Sequence, residues 1–181
     1  MRSSWIEVNL DAIRNNTKYV KSRIAPGAKF LAAVKGNAYG YGAVPVARVF
    51  VEQGADYLGV AIAEEGKELR ENGIKVPILV FGATFPDCYD LLFDYDLIPN
   101  VFTVEAAEEL SRMAVAKNTT LTIHVSIDTG LSRLGFVIDV PHVVDDIEKI
   151  CKMPGLNVEG LFSMLADGED FPNDEYSFVQ M

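Results

Sequence analysis

The sequence predicts an α/β protein of the (β/α)8 TIM-barrel type, present incompletely with about six of the eight strand–helix units. Short apolar segments alternate along the chain with amphipathic segments of helical period. The apolar segments are nearly continuous, as in parallel strands that are buried on both faces. The GxGxxG phosphate fingerprint is missing from the first strand–helix turn, which disfavours a dinucleotide-binding doubly wound sheet. An open six-unit sheet is the alternative.

Two elements precede the repeating units. The apolar residues of Trp5–Val8 predict a short strand. The pattern from Asp11 to Ile24 predicts a helix, which Pro26 and Gly27 stop.

Six strands and the helices between them follow from apolar runs that turn residues separate. The strands are predicted at Phe30–Val34, Tyr57–Val60, Ile78–Val80, Ile98–Val101, Leu121–Ile127 and Val158–Phe162. The helices are predicted at Val44–Gln53, Ala63–Asn72, Pro86–Tyr95, Val104–Lys117 with Thr103 as its N-cap, and Val140–Cys151. A further helix is in progress from Asn173 to Met181.

The length bears on the domain organisation. A complete barrel usually takes about 250 residues, and this chain has 181. We therefore expect residues 1–181 to form one partial barrel domain that is cut inside its sixth helix.

The composition argues against several classes of function. The chain carries 16 Lys and Arg against 26 Asp and Glu, a formal net charge of -10, which disfavours nucleic-acid binding. No apolar run approaches the roughly 20 residues of a membrane span, and the N-terminus turns acidic too early for a secretory signal. Cys88 and Cys151 form no CxxC pair, as in a cytoplasmic protein with reduced thiols. His124 and His142 stand in separate segments, so no metal site is predicted.

The most informative residue is Lys35, which an apolar strand delivers to a loop rich in glycine, asparagine and tyrosine. Burial at a strand end would disfavour the ammonium and yield the neutral amine that Schiff-base chemistry requires. This indicates a lysine that binds pyridoxal 5'-phosphate (PLP). Tyr39 follows four residues later, within reach of a phosphate or a ring. A lysine that extends from the strand end into solvent is the alternative.

A second polar segment, Asp128–Phe136, follows the longest strand. Its Arg133 has the geometry to bind a carboxylate through two hydrogen bonds or to face the phenolic oxygen of the cofactor. A salt bridge to a surface acid is the alternative. The segment Phe162–Gly168 is a weaker candidate, in which Ser163 or Asp167 would face the site.

Three acidic pairs fall on predicted helices, and we interpret them as solvated helix faces rather than as catalytic carboxylates. They are Glu64–Glu65, Glu108–Glu109 and Asp145–Asp146.

Two motifs resemble those of alanine racemases. The run VKGNAYGYG at Val34–Gly42 resembles the PLP-attachment signature VKANAYGHG of that family. The run DTGLSRLG at Asp128–Gly135 resembles its DTGMGRLG segment. The opening segment Trp5–Ile13 is similar to the first strand and helix of the family, and the resemblance extends in order over essentially the whole chain.

The resemblance implies a PLP-containing (β/α)8 barrel that a β-rich C-terminal domain, absent here, would follow. It implies a homodimeric isomerase that interconverts L-alanine and D-alanine for cell-wall peptidoglycan precursors, with an amino acid as its small-molecule substrate. Lys35 would hold the cofactor and act as the base on the D-alanine side. Tyr39 would contact the cofactor phosphate, and Arg133 would help to hold substrate and cofactor. The opposite base would be a tyrosine of the partner subunit, since racemisation removes a proton on one face and returns it on the other.

The chain also departs from the family pattern. Gly36 stands in place of the usual alanine, and Tyr41 in place of a histidine. Ser126 stands where the family often has a carbamylated lysine, and Met164 where it has a histidine near the pyridine ring. By the resemblance, most phosphate-binding groups and the catalytic tyrosine lie beyond Met181. A non-catalytic PLP-binding module of the homeostasis type and an inactive racemase remnant are therefore the alternatives to an enzyme.

Overall fold

The computed structural model describes residues 4–167 and 175–181, and the chain forms two compact units, Met1–Leu97 and Ile98–Met181. The first unit contains α1 (Leu10–Arg23), β1 (Leu31–Ala33), α2 (Lys35–Tyr39), α3 (Ala43–Glu52), β2 (Tyr57–Val60), α4 (Ala63–Glu71), β3 (Ile78–Val80), a 3-10 turn (Pro86–Cys88) and α5 (Tyr89–Asp94). The second unit contains β4 (Ile98–Val101), α6 (Val104–Ala116), β5 (Leu121–Asp128), β6 (Phe136–Val137), α7 (Val143–Cys151), β7 (Leu156–Phe162) and α8 (Glu175–Gln180).

The strands of the first unit are parallel, as predicted. Leu31 of β1 lies opposite Tyr57 of β2, and Leu58 of β2 lies opposite Ile78 of β3. Every residue of β2 and β3 is buried. Such continuous burial is expected of a parallel strand whose two faces are both covered, which explains why these strands read as unbroken apolar runs.

The predicted strand at Trp5–Val8 is wrong. Residues 4–9 form no strand, and the side chains of Trp5 and Ile6 are 76% and 77% exposed. A strand requires a partner for its backbone N–H and C=O groups, and the part of the chain that the structure describes offers none here.

Helix α1 lies against α3 and is held there at both ends. The side chain of Asn9 caps its N-terminus by accepting from the backbone N–H of Asp11 and Ala12. Arg14 pairs with Glu52 at 3.0 Å. Near the other end, Lys21 Nζ donates to the carbonyls that follow α3, at 3.0 and 2.8 Å. A cation at the carboxyl end of a helix is favoured by the helix dipole.

Arg70, in the last turn of α4, organises the loops at the amino-terminal side of the strands. Its guanidinium donates to the carbonyl oxygens of Ile74 at 3.0 Å, Val76 at 2.7 Å, Tyr95 at 2.9 Å and Asp96 at 2.9 Å. Burial lowers the pKa of Arg70, and the charge of Asp96 opposes that effect. The guanidinium stays charged, because an arginine side chain keeps its proton in proteins.

The second unit repeats the parallel arrangement. Asn100 of β4 lies opposite His124 of β5, and Leu121 of β5 lies opposite Leu156 of β7. The two-residue strand β6 pairs with the end of β5 and was not predicted, because two residues carry no periodicity. The predicted terminal helix is present from Glu175 to Gln180, whereas Asn173, Asp174 and the end of the Phe162–Gly168 segment lie outside the described residues.

The helix starts of this unit follow their capping residues. Thr103 Oγ1 accepts from Ala106 N at 3.2 Å, which confirms the predicted N-cap of α6. Helix α7 begins at Val143 rather than at the predicted Val140. Val140 precedes Pro141, and a residue before proline is disfavoured in the helical region.

Across residues 4–167 and 175–181, no helix combines the length and the apolar character that a membrane crossing requires.

Replacement of Arg70 by methionine should lower the free energy of unfolding by about 3 kcal/mol, since four carbonyl groups, three of them in partly buried hydrogen bonds, lose a charged donor. Urea titration followed by circular dichroism measures this change. Arg112→Met is the matched control, because Arg112 is exposed and its carboxylate partner is Glu109, one helical turn away. We expect the control to change the free energy by less than about 0.5 kcal/mol. Equal losses in the two variants would contradict the role given to Arg70.

Candidate active site

Lys35 is the second residue after β1, which ends at Ala33, and the first residue of α2, at the carboxyl end of that strand. The sequence predicted a loop here, and the structure has a single helical turn, α2. In Gly36–Tyr39 all four residues have positive φ, between 51° and 61°. The turn is therefore left-handed. For residues other than glycine this conformation costs about 1–2 kcal/mol each, so Asn37, Ala38 and Tyr39 need compensating interactions.

Asn37 supplies part of that compensation. Its backbone carbonyl accepts from Gly42 N at 2.9 Å, and its Oδ1 accepts from Ala43 N, the first residue of α3, at 2.8 Å. Asparagine adopts left-handed torsions more readily than most residues. A side chain in the left-handed turn thus caps the helix that follows it.

Glu65, on the first turn of α4, connects the Lys35 turn to the neighbouring strand. Its Oε1 accepts from Gly36 N at 2.6 Å and its Oε2 accepts from Ala61 N at 2.7 Å. The interpretation of Glu64–Glu65 as a solvated pair is therefore wrong for Glu65. Glu64 is exposed, and it accepts from Cys88 Sγ at 3.5 Å. Burial and the neighbouring carboxylates of Glu64 and Asp87 raise the pKa of the Cys88 thiol.

The same network reaches the end of β3. The carbonyl oxygen of Ala61 accepts from Gly82 N at 3.0 Å. A Cβ at Gly82 would lie 2.6 Å from that oxygen, so only glycine allows this approach. The segments that follow β1, β2 and β3 are thus joined by hydrogen bonds through Ala61 and Glu65.

Phe81 lies beneath the Lys35 amine. Lys35 Nζ is 5.9 Å from the centroid of the Phe81 ring, within the range of a cation–π contact. The ring occupies the space above Gly59, where any Cβ would overlap it. Phe81 was not among the site residues predicted from the sequence. A glycine inside an otherwise apolar strand was the available signal, because it often marks a close approach by another group.

Tyr39 lies on the same turn as Lys35, and its side chain is 64% exposed. With Tyr41 it borders a pocket of about 420 Å³ whose walls come from α1, β1 and α3 and include Ile13, Leu31 and Val46. The exposed phenol leaves its hydroxyl accessible to a ligand.

In the second unit, the segment after β5 forms the tight polar loop that the sequence predicted. Asp128 Oδ1 accepts from the backbone N–H of Gly130 at 3.0 Å and of Ser132 at 2.9 Å. A Cβ at Gly135 would lie 2.5 Å from Asp128 N, so the loop returns against its own start. Arg133 projects from this loop.

Among the residues that the structure describes, the guanidinium of Arg133 contacts Met164 rather than a surface carboxylate. The distance from Arg133 Nη2 to Met164 Sδ is 2.8 Å. A thioether is a weak acceptor, so a carboxylate would be a stronger partner for the same donor. Ser126, 2% exposed, lines the small cleft beside these residues. Because serine has no amine, this position cannot form a carbamate.

Helix α8 holds the loops after β5 and β7 together. Gln180 Oε1 accepts from Ala166 N at 2.8 Å, and its Nε2 donates to Met164 O at 3.3 Å and to Thr129 Oγ1 at 3.4 Å. Thr129 in turn shares a 2.7 Å hydrogen bond with Ser163. Gln180 is buried, and sequence reasoning did not single it out.

Two further residues of α8 also bind the loops after β5 and β7. Tyr176 Oη donates to the carbonyl oxygen of Gly130 at 2.8 Å, and Ser177 Oγ donates to that of Asp167 at 2.8 Å. A Cβ at Gly130 would lie 2.6 Å from the Tyr176 hydroxyl. The loop that carries Arg133 is thus held by side chains from another element.

The structure places the predicted site residues in two groups. Lys35 and Tyr39 share the left-handed turn of the first unit, whereas Arg133 belongs to the loop after β5 in the second unit. Within the described ranges, no cluster of three or more His, Cys, Asp or Glu side chains is arranged to hold a metal ion.

Comparisons with known proteins converge on one family. A family model described as the N-terminal domain of alanine racemase matches residues 8–181. The alanine racemase of Desulforamulus reducens is 39% identical over 166 residues, which cover 92% of this chain and 45% of that protein. That of Halothermothrix orenii is 39% identical, with 99% and 46% covered. The chain spans about half the length of these curated relatives.

Solved structures agree with the sequence relatives. An alanine racemase of Clostridium difficile 630 aligns with a TM-score of 0.93 and 32% identity, covering 99% of this chain and 47% of that one. The enzyme of Bacillus anthracis with bound L-Ala-P aligns with a TM-score of 0.89 and 33% identity, covering 99% and 46%. These likenesses confirm the predicted fold class, a parallel α/β fold that resembles a partial TIM barrel.

Replacement of Asn37 by alanine should destabilise the fold by about 1–2 kcal/mol, because the turn loses both the cap of α3 and a residue that tolerates left-handed torsions. Denaturant unfolding measures the loss. Asn118→Ala is the matched control: Asn118 has φ of 51° at the end of α6, so that variant tests the torsional effect. A loss in Asn37→Ala no larger than in the control would rule out a capping contribution.

Proposed function

Because this chain belongs to the alanine racemase N-terminal domain family, we propose that it is the N-terminal portion of a PLP-dependent isomerase that interconverts L-alanine and D-alanine. The observation that carries the proposal is the position of Lys35, at the carboxyl end of a parallel strand, over an aromatic ring and on one turn with Tyr39. Sites of barrel enzymes lie at the carboxyl ends of their strands.

The residues present fit the cofactor. PLP needs a primary amine for covalent attachment, a donor for its phosphate and a face for its ring. Lys35 supplies the amine and the exposed hydroxyl of Tyr39 the donor. Phe81, packed into the space above Gly59, provides an apolar surface beside the amine. When bound, PLP withdraws electron density from the substrate Cα and so makes its proton more acidic.

Each residue then has a defined task. Lys35 would hold the cofactor, and its Nζ would take up or return the Cα proton on one face of the substrate. Arg133 would donate to the substrate carboxylate in place of its weak contact with Met164. The aromatic ring of Phe81 would limit the access of water to the side of the Lys35 amine that faces the ring.

The remaining parts of the proposal concern the whole protein. We include a homodimer, a cytoplasmic location and a role in the supply of D-alanine for peptidoglycan precursors. We also include a second, β-rich domain outside residues 1–181. The curated relatives are about twice as long as this chain and carry the name alanine racemase, which supports these parts.

Attachment of PLP at Lys35 is tested by mixing the chain with PLP, reducing with borohydride and mapping the modified peptide by mass. We expect the wild type to carry the modification on Lys35, and Lys35→Ala to lose it by about tenfold or more. Lys29→Ala is the matched control, because Lys29 precedes β1 and its Nζ also lies over an aromatic ring, 5.1 Å from the centroid of Tyr57. Modification of many lysines to equal extents would contradict the proposal.

The role of Arg133 is tested in the full-length protein by alanine racemisation kinetics. Arg133→Gln should raise KM for alanine about 10- to 100-fold, since a hydrogen bond to a charged group contributes about 1.5–3 kcal/mol. Arg112→Gln, on the exposed face of α6, should leave KM unchanged. A wild-type KM in Arg133→Gln would exclude Arg133 from substrate binding. Absence of racemisation by the wild-type protein would instead favour a non-catalytic PLP-binding module.

A further inference from the structure

We propose that Glu65 is a positioning residue for Lys35, whose carboxylate holds the left-handed turn that carries the Lys35 amine. The inference rests on the proposed function, in which Lys35 binds the cofactor. It extends that function to a side chain on a neighbouring helix, which the motif around Lys35 does not contain.

Both carboxylate oxygens of Glu65 accept a hydrogen bond from a backbone N–H group. Oε1 accepts from Gly36 N at 2.6 Å, and Oε2 accepts from Ala61 N at 2.7 Å. An ionised carboxylate only accepts hydrogen bonds, so two facing N–H donors suit it without conflict. Charge-assisted bonds of this kind are stronger than neutral ones. One side chain therefore connects the ends of two adjacent parallel strands.

The turn requires a support of this kind. Its three residues after Gly36 are not glycine and all have positive φ. Gly36 N belongs to the peptide between Lys35 and Gly36, so the bond from Glu65 acts on the peptide that is attached directly to the Lys35 Cα. A shift of this peptide would rotate the Lys35 side chain relative to the Phe81 ring.

The second oxygen of Glu65 binds the segment that follows β2. Ala61 donates to Glu65 through its N–H, and its carbonyl accepts from Gly82 N, the residue after Phe81. The carboxylate thus links the backbone that carries Lys35 to the backbone that carries the ring beneath it. The backbone positions of Lys35 and of Phe81 are therefore both connected to Glu65.

Glu65→Gln is the informative variant, because the amide has nearly the same shape but must place an NH2 donor against one of the two N–H groups. Glu64→Gln is the matched control, since Glu64 is exposed one residue away on the same helix. PLP attachment at Lys35 is measured by borohydride reduction and peptide mass. We expect attachment to fall about tenfold in Glu65→Gln, because one of the two backbone N–H donors then faces another N–H donor, and to be unchanged in Glu64→Gln.

A second readout works without the cofactor. The rate at which an N-hydroxysuccinimide ester acylates Lys35, relative to Lys29 in the same sample, reports the surroundings of the amine alone. We expect this ratio to change about threefold or more in Glu65→Gln, because the amine loses its preorganised position. Thermal unfolding verifies that the variant is folded. If it is not, Glu65→Asp replaces it, which keeps the charge and shortens the reach.

The outcomes separate the two proposals. Wild-type attachment of PLP in Glu65→Gln would overturn the role of Glu65 and leave the role of Lys35 intact. Absence of PLP at Lys35 in the wild type would refute the proposed function, and the acylation ratio would then decide the role of Glu65. An acylation ratio of Lys35 to Lys29 that is unchanged in Glu65→Gln overturns the positioning role of Glu65. A ratio that changes in Glu65→Gln but not in Glu64→Gln supports that role.

Discussion

The left-handed turn at Gly36–Tyr39 is the constraint on which the candidate site depends. Such torsions are unfavourable for side chains other than glycine, and they persist only where surrounding groups enforce them. Here the enforcement comes from outside the turn as well as within it. Asn37 binds the start of α3, and Glu65 of α4 binds the peptide after Lys35. The position of one amine therefore depends on two helices that follow later in the chain.

Parallel strands make this arrangement possible. The carboxyl ends of β1, β2 and β3 meet at one edge of the sheet, so the segments that leave them are neighbours although they are far apart in sequence. Two glycines allow the close approach at this edge. Gly59 leaves room for the Phe81 ring, and Gly82 for the Ala61 carbonyl. Small residues in apolar strands thus have a packing role that their hydropathy does not indicate.

In the second unit, the loop that carries Arg133 is held by a different set of side-chain hydrogen bonds. Its polar loop is shaped locally by Asp128, which accepts from two backbone N–H groups within four residues. It is then held from outside by Tyr176 and Gln180 of α8. A glutamine amide suits this task because it accepts on one side and donates on the other. Arg133 is left with a weak acceptor, Met164, which a stronger anionic partner would displace.

The sequence by itself determined the parallel α/β alternation and the family, and it located Lys35 and Arg133 at strand ends, because apolar periodicity and turn residues are local signals. Only the tertiary structure decided that Trp5–Val8 forms no strand, since a strand needs a distant partner. It alone also decided that Glu65 is an acceptor within the site and that Phe81 lies beneath the lysine. An acidic residue on a solvated helix and one that binds a neighbouring loop have the same local pattern. They differ only in which strand end lies beside them, and that is set by the pairing of strands.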